Sequence, residues 1–329
     1  MTTKRDRLQA ALAGDVADRP PFAVWRHFPV DDQTPEGLAD AVLVFQRELD
    51  CDFIKVTPAS SYCVRDWGVV DAWQGSTEGT RTYTQRRVRT AADWLGLEAL
   101  DPNRGALGDQ IRCLAAVVSR AEGGTPVLAT VFSPLAQAKN LAGSDVLLDH
   151  LRSAPDELLA GLDQITRTTV RTIAAARQTG IDGIFYAIQH ASRSLLDRQA
   201  YHRFARPFDR QVLEAADGLW LNVLHLHGTE IDFELAAELP AAIVNWHDRE
   251  TEPGLREGRR RAGRAVCGGL SRVETLVLGD PERVRTEARE ALRETDGGRG
   301  LILGTGCVVP VHAPRGNLLA ARNAVEERV

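Results

Sequence analysis

Two histidines and one distant cysteine are the residues of this chain best suited by type to hold a metal ion. His225 and His227 close the short apolar run 221–228, and Cys307 follows a second apolar run, 301–304, 80 residues further on (307 − 227 = 80). A run that short, apolar and ended by glycine reads as a buried strand of a parallel sheet. Side chains alternate along a strand, so the two imidazoles leave on one face, about 7 Å apart by the rise of two residues. Two neutral imidazoles and a thiolate make a zinc site with one position open, and they leave the ion with a net positive charge. Polar residues at strand ends that simply satisfy their own hydrogen bonds are the alternative.

The elements that position them are read from hydrophobic periodicity. Apolar runs at 22–25, 53–57, 127–132, 183–187, 221–228, 242–246, 265–268 and 301–303 predict eight strands. Helical stretches are predicted at 4–13, 34–49, 106–120, 134–142, 144–152, 155–179, 201–216, 253–261, 281–294 and 314–328, with Pro155 as a start signal and Gly180 as a stop. Strand followed by helix, with no GxGxxG turn after the first strand, predicts one α/β domain over residues 1–329, a (β/α)8 TIM barrel rather than an open nucleotide-binding sheet. Residues 59–101, after the second strand, form a long polar and aromatic insertion, expected to be a lid or an excursion with small strands of its own.

In such barrels the chemistry gathers at the C-terminal ends of the strands. Those ends carry Arg26, His27, Lys55, Tyr186, Gln189, Asn245 and His247 beside the metal trio, and three of the eight histidines fall at two adjacent ends. Arg26, His27, Lys55, Gln189 and Asn245 are expected to bind substrate, and His247 and Tyr186 to move protons. His247 is also placed to serve as a fourth ligand or, with Asp248, to orient one. Structural alternatives stand beside these roles: Lys55 as the partner of Asp52 or Asp66, Tyr186 as a core residue with a bonded hydroxyl.

Charge narrows the partners. Lys and Arg number 40 against 45 Asp and Glu, a formal net charge of −5, so neither nucleic acid nor an anionic membrane is an expected partner. No window approaches the roughly 18–20 apolar residues of a membrane span, and the N-terminus has no signal-like apolar stretch, so a cytoplasmic protein is expected. Five scattered cysteines without CxxC spacing read as reduced thiols. A homodimer paired through outer helices or the insertion is expected.

The stretches Asp18-Arg19-Pro20-Pro21, Pro126-Val127-Leu128 with Ser133-Pro134-Leu135, the 155–180 helix leading into Asp182-Gly183, Cys267-Gly268-Gly269-Leu270, and the ending 303–310 with Pro314 and Asn317 run over nearly the whole chain. Together they resemble the uroporphyrinogen decarboxylase superfamily. The resemblance implies a barrel and two classes of chemistry: porphyrinogen decarboxylation, and zinc-dependent methyl transfer between a corrinoid protein and a thiol. Where the decarboxylases carry an arginine-rich motif and an aspartate, this chain has Trp25-Arg26-His27-Phe28 and Val56-Thr57-Pro58, which argues against the tetrapyrrole reaction. The methyltransferase branch carries His-x-Cys and a later Cys as zinc ligands; here His225 falls at the histidine, His227 at the first cysteine and Cys307 at the second. The resemblance therefore implies a Zn2+-dependent methyl or alkyl transferase acting on a small thiol, with any corrinoid on a separate protein. A metal-independent decarboxylase or lyase using Arg26 and Lys55, and a non-catalytic barrel that binds a metal or metabolite, are the other readings.

Overall fold

The computed structural model describes residues 2–327. Ten strands follow in chain order: β1 (Phe22–Ala23), β2 (Ile54–Val56), β3 (Val70–Ala72), β4 (Thr82–Gln85), β5 (Val127–Phe132), β6 (Gly183–Ile188), β7 (Val223–Leu226), β8 (Ile243–Trp246), β9 (Ala265–Leu270) and β10 (Leu301–Thr305). Eight of them pair in parallel in the order β1-β10-β9-β8-β7-β6-β5-β2, with every strand residue buried, as expected of a sheet covered on both faces. At the seam between β1 and β2 the amide of Asp52 donates to the Phe22 carbonyl at 2.7 Å. The Asp52 carboxylate accepts from the Phe22 amide at 2.8 Å and from Arg19 Nη1 at 2.7 Å. The barrel is thus nearly closed, and the expected (β/α)8 architecture is present, with Arg19 of the Asp18–Pro21 stretch tying the seam.

Local chemistry sets the helix boundaries. Thr34 accepts from the Gly37 amide and Pro35 opens the helix Pro35–Leu49; Asp280 and Pro281 do the same for Pro281–Glu294. The predicted helix 201–216 is two helices, Arg198–Phe204 and Arg206–Ala215, because Pro207 has no amide to donate back across the break at Ala205. The helix from Pro155 ends at Arg177, just before the expected position. Within the 59–101 insertion β3 and β4 form an antiparallel pair, the excursion with its own small strands.

Alternation along β6 decides which side chains face the barrel interior. Phe185 and Ala187 wall an interior chamber, so Tyr186 between them points the other way. Its hydroxyl donates to Asp209 Oδ1 at 2.5 Å, and that of Tyr201 donates to Oδ2 at 2.6 Å. Tyr186 and Asp209 are both 0% exposed, and burial lifts the Asp209 carboxyl to a pKa of about 6. Tyr186 is therefore held in the layer between sheet and helix rather than in the expected proton-transfer position. Tyr186→Phe removes one of two donors from a fully buried carboxylate; unfolding in urea should register a loss of about 1–3 kcal/mol, with metal content unchanged.

Candidate metal centre

Register brings the cluster together. β7 and β8 pair with His225 opposite Asn245, and β8 and β9 with Asn245 opposite Cys267. The Asn245 amide nitrogen donates to the carbonyls of Cys267 at 2.8 Å and Thr305 at 3.0 Å. Both partners accept only, so the Asn245 oxygen must face the other way, where it meets His225 Nδ1 at 2.6 Å. His225 Nδ1 consequently carries the proton, and Nε2 presents its lone pair to the interior. His247 is fixed in the same sense by Glu250 Oε2, 3.1 Å from its Nδ1. Asp248, expected with His247 to orient a ligand, accepts from the Gly269 amide at 2.9 Å.

His227 Nδ1 lies 3.4 Å from His225 Nε2, 3.3 Å from His247 Nε2 and 3.7 Å from Cys307 Sγ. Ligand atoms of all four residues lie within 4.8 Å of one another. A proton on His227 Nδ1 can satisfy at most one of these neighbours, whereas one cation satisfies every lone pair at once. The three expected ligands and His247 are thus assembled as a group that can hold a metal ion. Cys307 is placed by the end of β10, where Thr305 Oγ1 donates to the Cys307 carbonyl at 2.6 Å. Gly306 between them has no room for a side chain: a Cβ would stand 2.4 Å from the Trp246 carbonyl oxygen and 2.6 Å from His247 Cα.

Electrostatics in the cluster follow burial. Desolvation drives the His225 pKa well below the ordinary histidine value, with His227 and His247 adding to it, and burial lowers His227 as well. Desolvation also opposes protonation of His247, but hydrogen bonding to Cys307 and Glu250 outweighs it and raises the pKa. The His247 hydrogen bond holds Glu250 down at about 2. Arg272 joins Glu250 at 2.8 Å and also pairs with Glu78 of the insertion.

An inner chamber of about 80 Å³ opens onto the cluster, walled by Trp25, Lys55, Phe132, Phe185, Gln189 and Glu78. Lys55 is 7% exposed. Its Nζ donates to Thr57 Oγ1 at 3.1 Å and lies 4.7 Å from the Phe185 ring centre. Neither acid offered as its partner is available: Asp52 is engaged by Arg19, and Asp66 caps the helix Gly105–Arg120 through the amides of Ala106 and Leu107. Burial drops the Lys55 pKa to about 7, and no carboxylate among the described residues pairs with it. His27 also walls the chamber, with Nδ1 3.1 Å from the Pro58 carbonyl and its pKa pushed down to about 3 by burial.

The expected substrate residues divide accordingly. His27, Lys55 and Gln189 line the chamber, and Asn245 stands behind His225. Arg26 is turned away: its guanidinium lies 5.1 Å from the ring centres of both Phe28 and Phe45 and donates to the Val311 carbonyl. Glu250, Arg272 and Glu78 were not singled out from the sequence. Glu250 had one local signal, its place three residues after His247. A larger groove, of about 550 Å³, is elsewhere, beside Gly300 and Ala265 at the N-terminal ends of β10 and β9. Its Arg256 and Arg259 pair with Asp296, and its Arg260 with Glu257.

No helix among the described residues is long and apolar enough to cross a membrane. A methylated-thiol:coenzyme M methyltransferase from Methanosarcina mazei is 26% identical over 211 residues, 63% of this chain and 55% of that protein. The methylcobamide:CoM methyltransferase MtbA of the same organism is 24% identical over 246 residues, 74% of this chain and 70% of that one. The chain thus spans little more than half the length of the first of these relatives. Among solved structures, a methyltransferase from Methanosarcina mazei superposes with a TM-score of 0.85 at 19% identity, covering 98% of both chains. A B12-independent methionine synthase from Shewanella sp. W3-18-1 gives 0.58 at 12% identity, covering 94% of this chain and 92% of that one. At these identities the superpositions establish a shared fold. The sequence profile of the family described as Uroporphyrinogen decarboxylase (URO-D) matches residues 3–328, and the chain belongs to that family.

Proposed function

We propose that this chain is a zinc-dependent transferase that moves a methyl group to a small thiol, with a corrinoid carried by a separate protein as the donor. The observation that carries this reading is the spacing inside the cluster. Tetrahedral zinc, with bonds of 2.0–2.1 Å to nitrogen and 2.3 Å to sulfur, separates two nitrogens by about 3.3–3.4 Å and nitrogen from sulfur by about 3.5–3.6 Å. The pairs around His227 Nδ1 measure 3.3, 3.4 and 3.7 Å. The names of the curated relatives, both methyltransferases acting with thiols or coenzyme M, support the transfer and the thiol acceptor. The methylcobamide in one of them supports the corrinoid donor.

The ion would be held by His225, His227 and Cys307, with His247 as a fourth donor that the incoming thiol would displace, leaving the ion four-coordinate. Bound zinc lowers the pKa of a coordinated thiol, which is what a methyl acceptor needs. The remaining work falls to the protein. Asn245 and Glu250 hold the protons on the outer nitrogens of His225 and His247, keeping the inner nitrogens free. Trp25, Phe132 and Phe185 exclude water from the chamber. Lys55 holds an anionic or polar group of the thiol, having no carboxylate partner of its own among the described residues. With Arg26 turned away, an acid decarboxylase that needs two cations on its substrate is the less supported reading.

Elemental analysis of protein purified without added metal or a histidine tag should find about one zinc per chain, lost in His225→Ala and Cys307→Ala. Metal-free protein with full methyl-transfer activity would overturn the proposal. Asn245→Leu frees the His225 tautomer and should weaken zinc binding about 10–100-fold in competition with a chromogenic chelator. Lys55→Met should raise the KM for an anionic thiol about tenfold, a loss of roughly 1.4 kcal/mol, while zinc content stays the same.

A further inference from the structure

On the far side of His227 lies a second chamber, of about 210 Å³, that the transfer reaction above does not use. Its lining combines the polar side chains of Lys139, Ser144, Gln189 and His190 with the apolar ones of Leu147, Leu148 and Leu195. Gln189 and His227 are walls of both chambers. Lys139 sits near the end of the helix Pro134–Ala142. Its Nζ donates to Gln189 Oε1 at 2.9 Å, and no carboxylate among the described residues contributes to its electrostatics. Burial lowers the Lys139 pKa, and neighbouring Arg86 lowers it further. His190 is 5% exposed, and its Nδ1 has no hydrogen-bond partner among the described residues. Burial and the nearby Lys139 charge keep this ring neutral, with its pKa about 3.

A half-buried ammonium with no carboxylate partner among the described residues and a buried imidazole nitrogen without a partner are both better satisfied with a ligand than without one. The charge calls for an anion, and the three leucines in the same lining call for an apolar body. Room for about seven waters at ~30 Å³ each limits the size to roughly five to seven non-hydrogen atoms. We propose that this outer chamber binds a small amphiphilic organic anion, its charged end on Lys139 between Gln189 and His190 and its body on Leu147, Leu148 and Leu195. The occupant lies against a wall of the inner chamber, beside whatever binds there. The proposal does not depend on zinc, because neither Lys139 nor His190 belongs to the ligand set.

The test is calorimetric titration of the full chain with straight-chain carboxylates from acetate to octanoate at neutral pH. Saturable one-to-one binding is expected, tightest at intermediate length and equal in metal-depleted and zinc-loaded protein. Lys139→Met should weaken it about tenfold or more, and Leu148→Trp, which fills the chamber from a partly exposed position, should abolish it. The titration is repeated in Lys55→Met, whose inner chamber has lost its own cation, and the outer chamber's binding should persist there. Absence of saturable binding by every acid, or loss in Lys55→Met but not in Lys139→Met, would overturn the assignment. Acid binding that survives in a protein shown to hold no zinc would leave it standing while the transferase reading fails.

Discussion

A single buried amide links the strands that carry the cluster. Asn245, 0% exposed on β8, reaches His225 on β7, the Cys267 carbonyl on β9 and the Thr305 carbonyl on β10. Backbone ladders already join these strands pairwise, but ladders alone say nothing about which imidazole nitrogen faces inward. The side chain does, because an amide has one end that donates and one that accepts. Its donating end is spent on two carbonyls, and the tautomer of His225 follows.

Charge balance inside the barrel follows from what that arrangement leaves uncompensated. Carboxylates are abundant in the chain, yet those near the cluster are already committed: Glu250 to His247 and Arg272, Glu78 to Arg272, Asp248 to the Gly269 amide. Lys55 and Lys139, in adjacent chambers, keep hydroxyl and amide partners instead. Both ammonium groups stand among apolar side chains, with no carboxylate partner among the described residues.

Much of this was legible in the sequence, and for identifiable reasons. The eight strands stand out because each is a short, nearly continuous apolar run between helical stretches, and a strand ending in His-x-His puts both rings at the mouth of the barrel. His225, His227 and Cys307 are therefore found by position alone. Tyr186 was not placed correctly, since a strand buried on both faces gives no polar alternation to tell inside from outside; only its pairing with Asp209, 23 residues away, reveals the direction. Arg26 faces rings on elements that the sequence leaves unordered in space. Lys139 and His190 carry no motif, and their importance comes from what fails to contact them, a property of the packed chain.

The missing side chain at Gly306 has a bearing on how the centre can move. With the Trp246 carbonyl and His247 Cα packed against that position, the segments bearing His247 and Cys307 cannot slide past each other without a clash or a gap. Their backbones form one mechanical unit. Any change in the number of donors around a bound ion must then come from rotation about side-chain bonds, a motion of picoseconds to nanoseconds where space permits, rather than from a slow rearrangement of the barrel. His247, tethered through Glu250 to Arg272 and Glu78, is the arm with a hinge of its own.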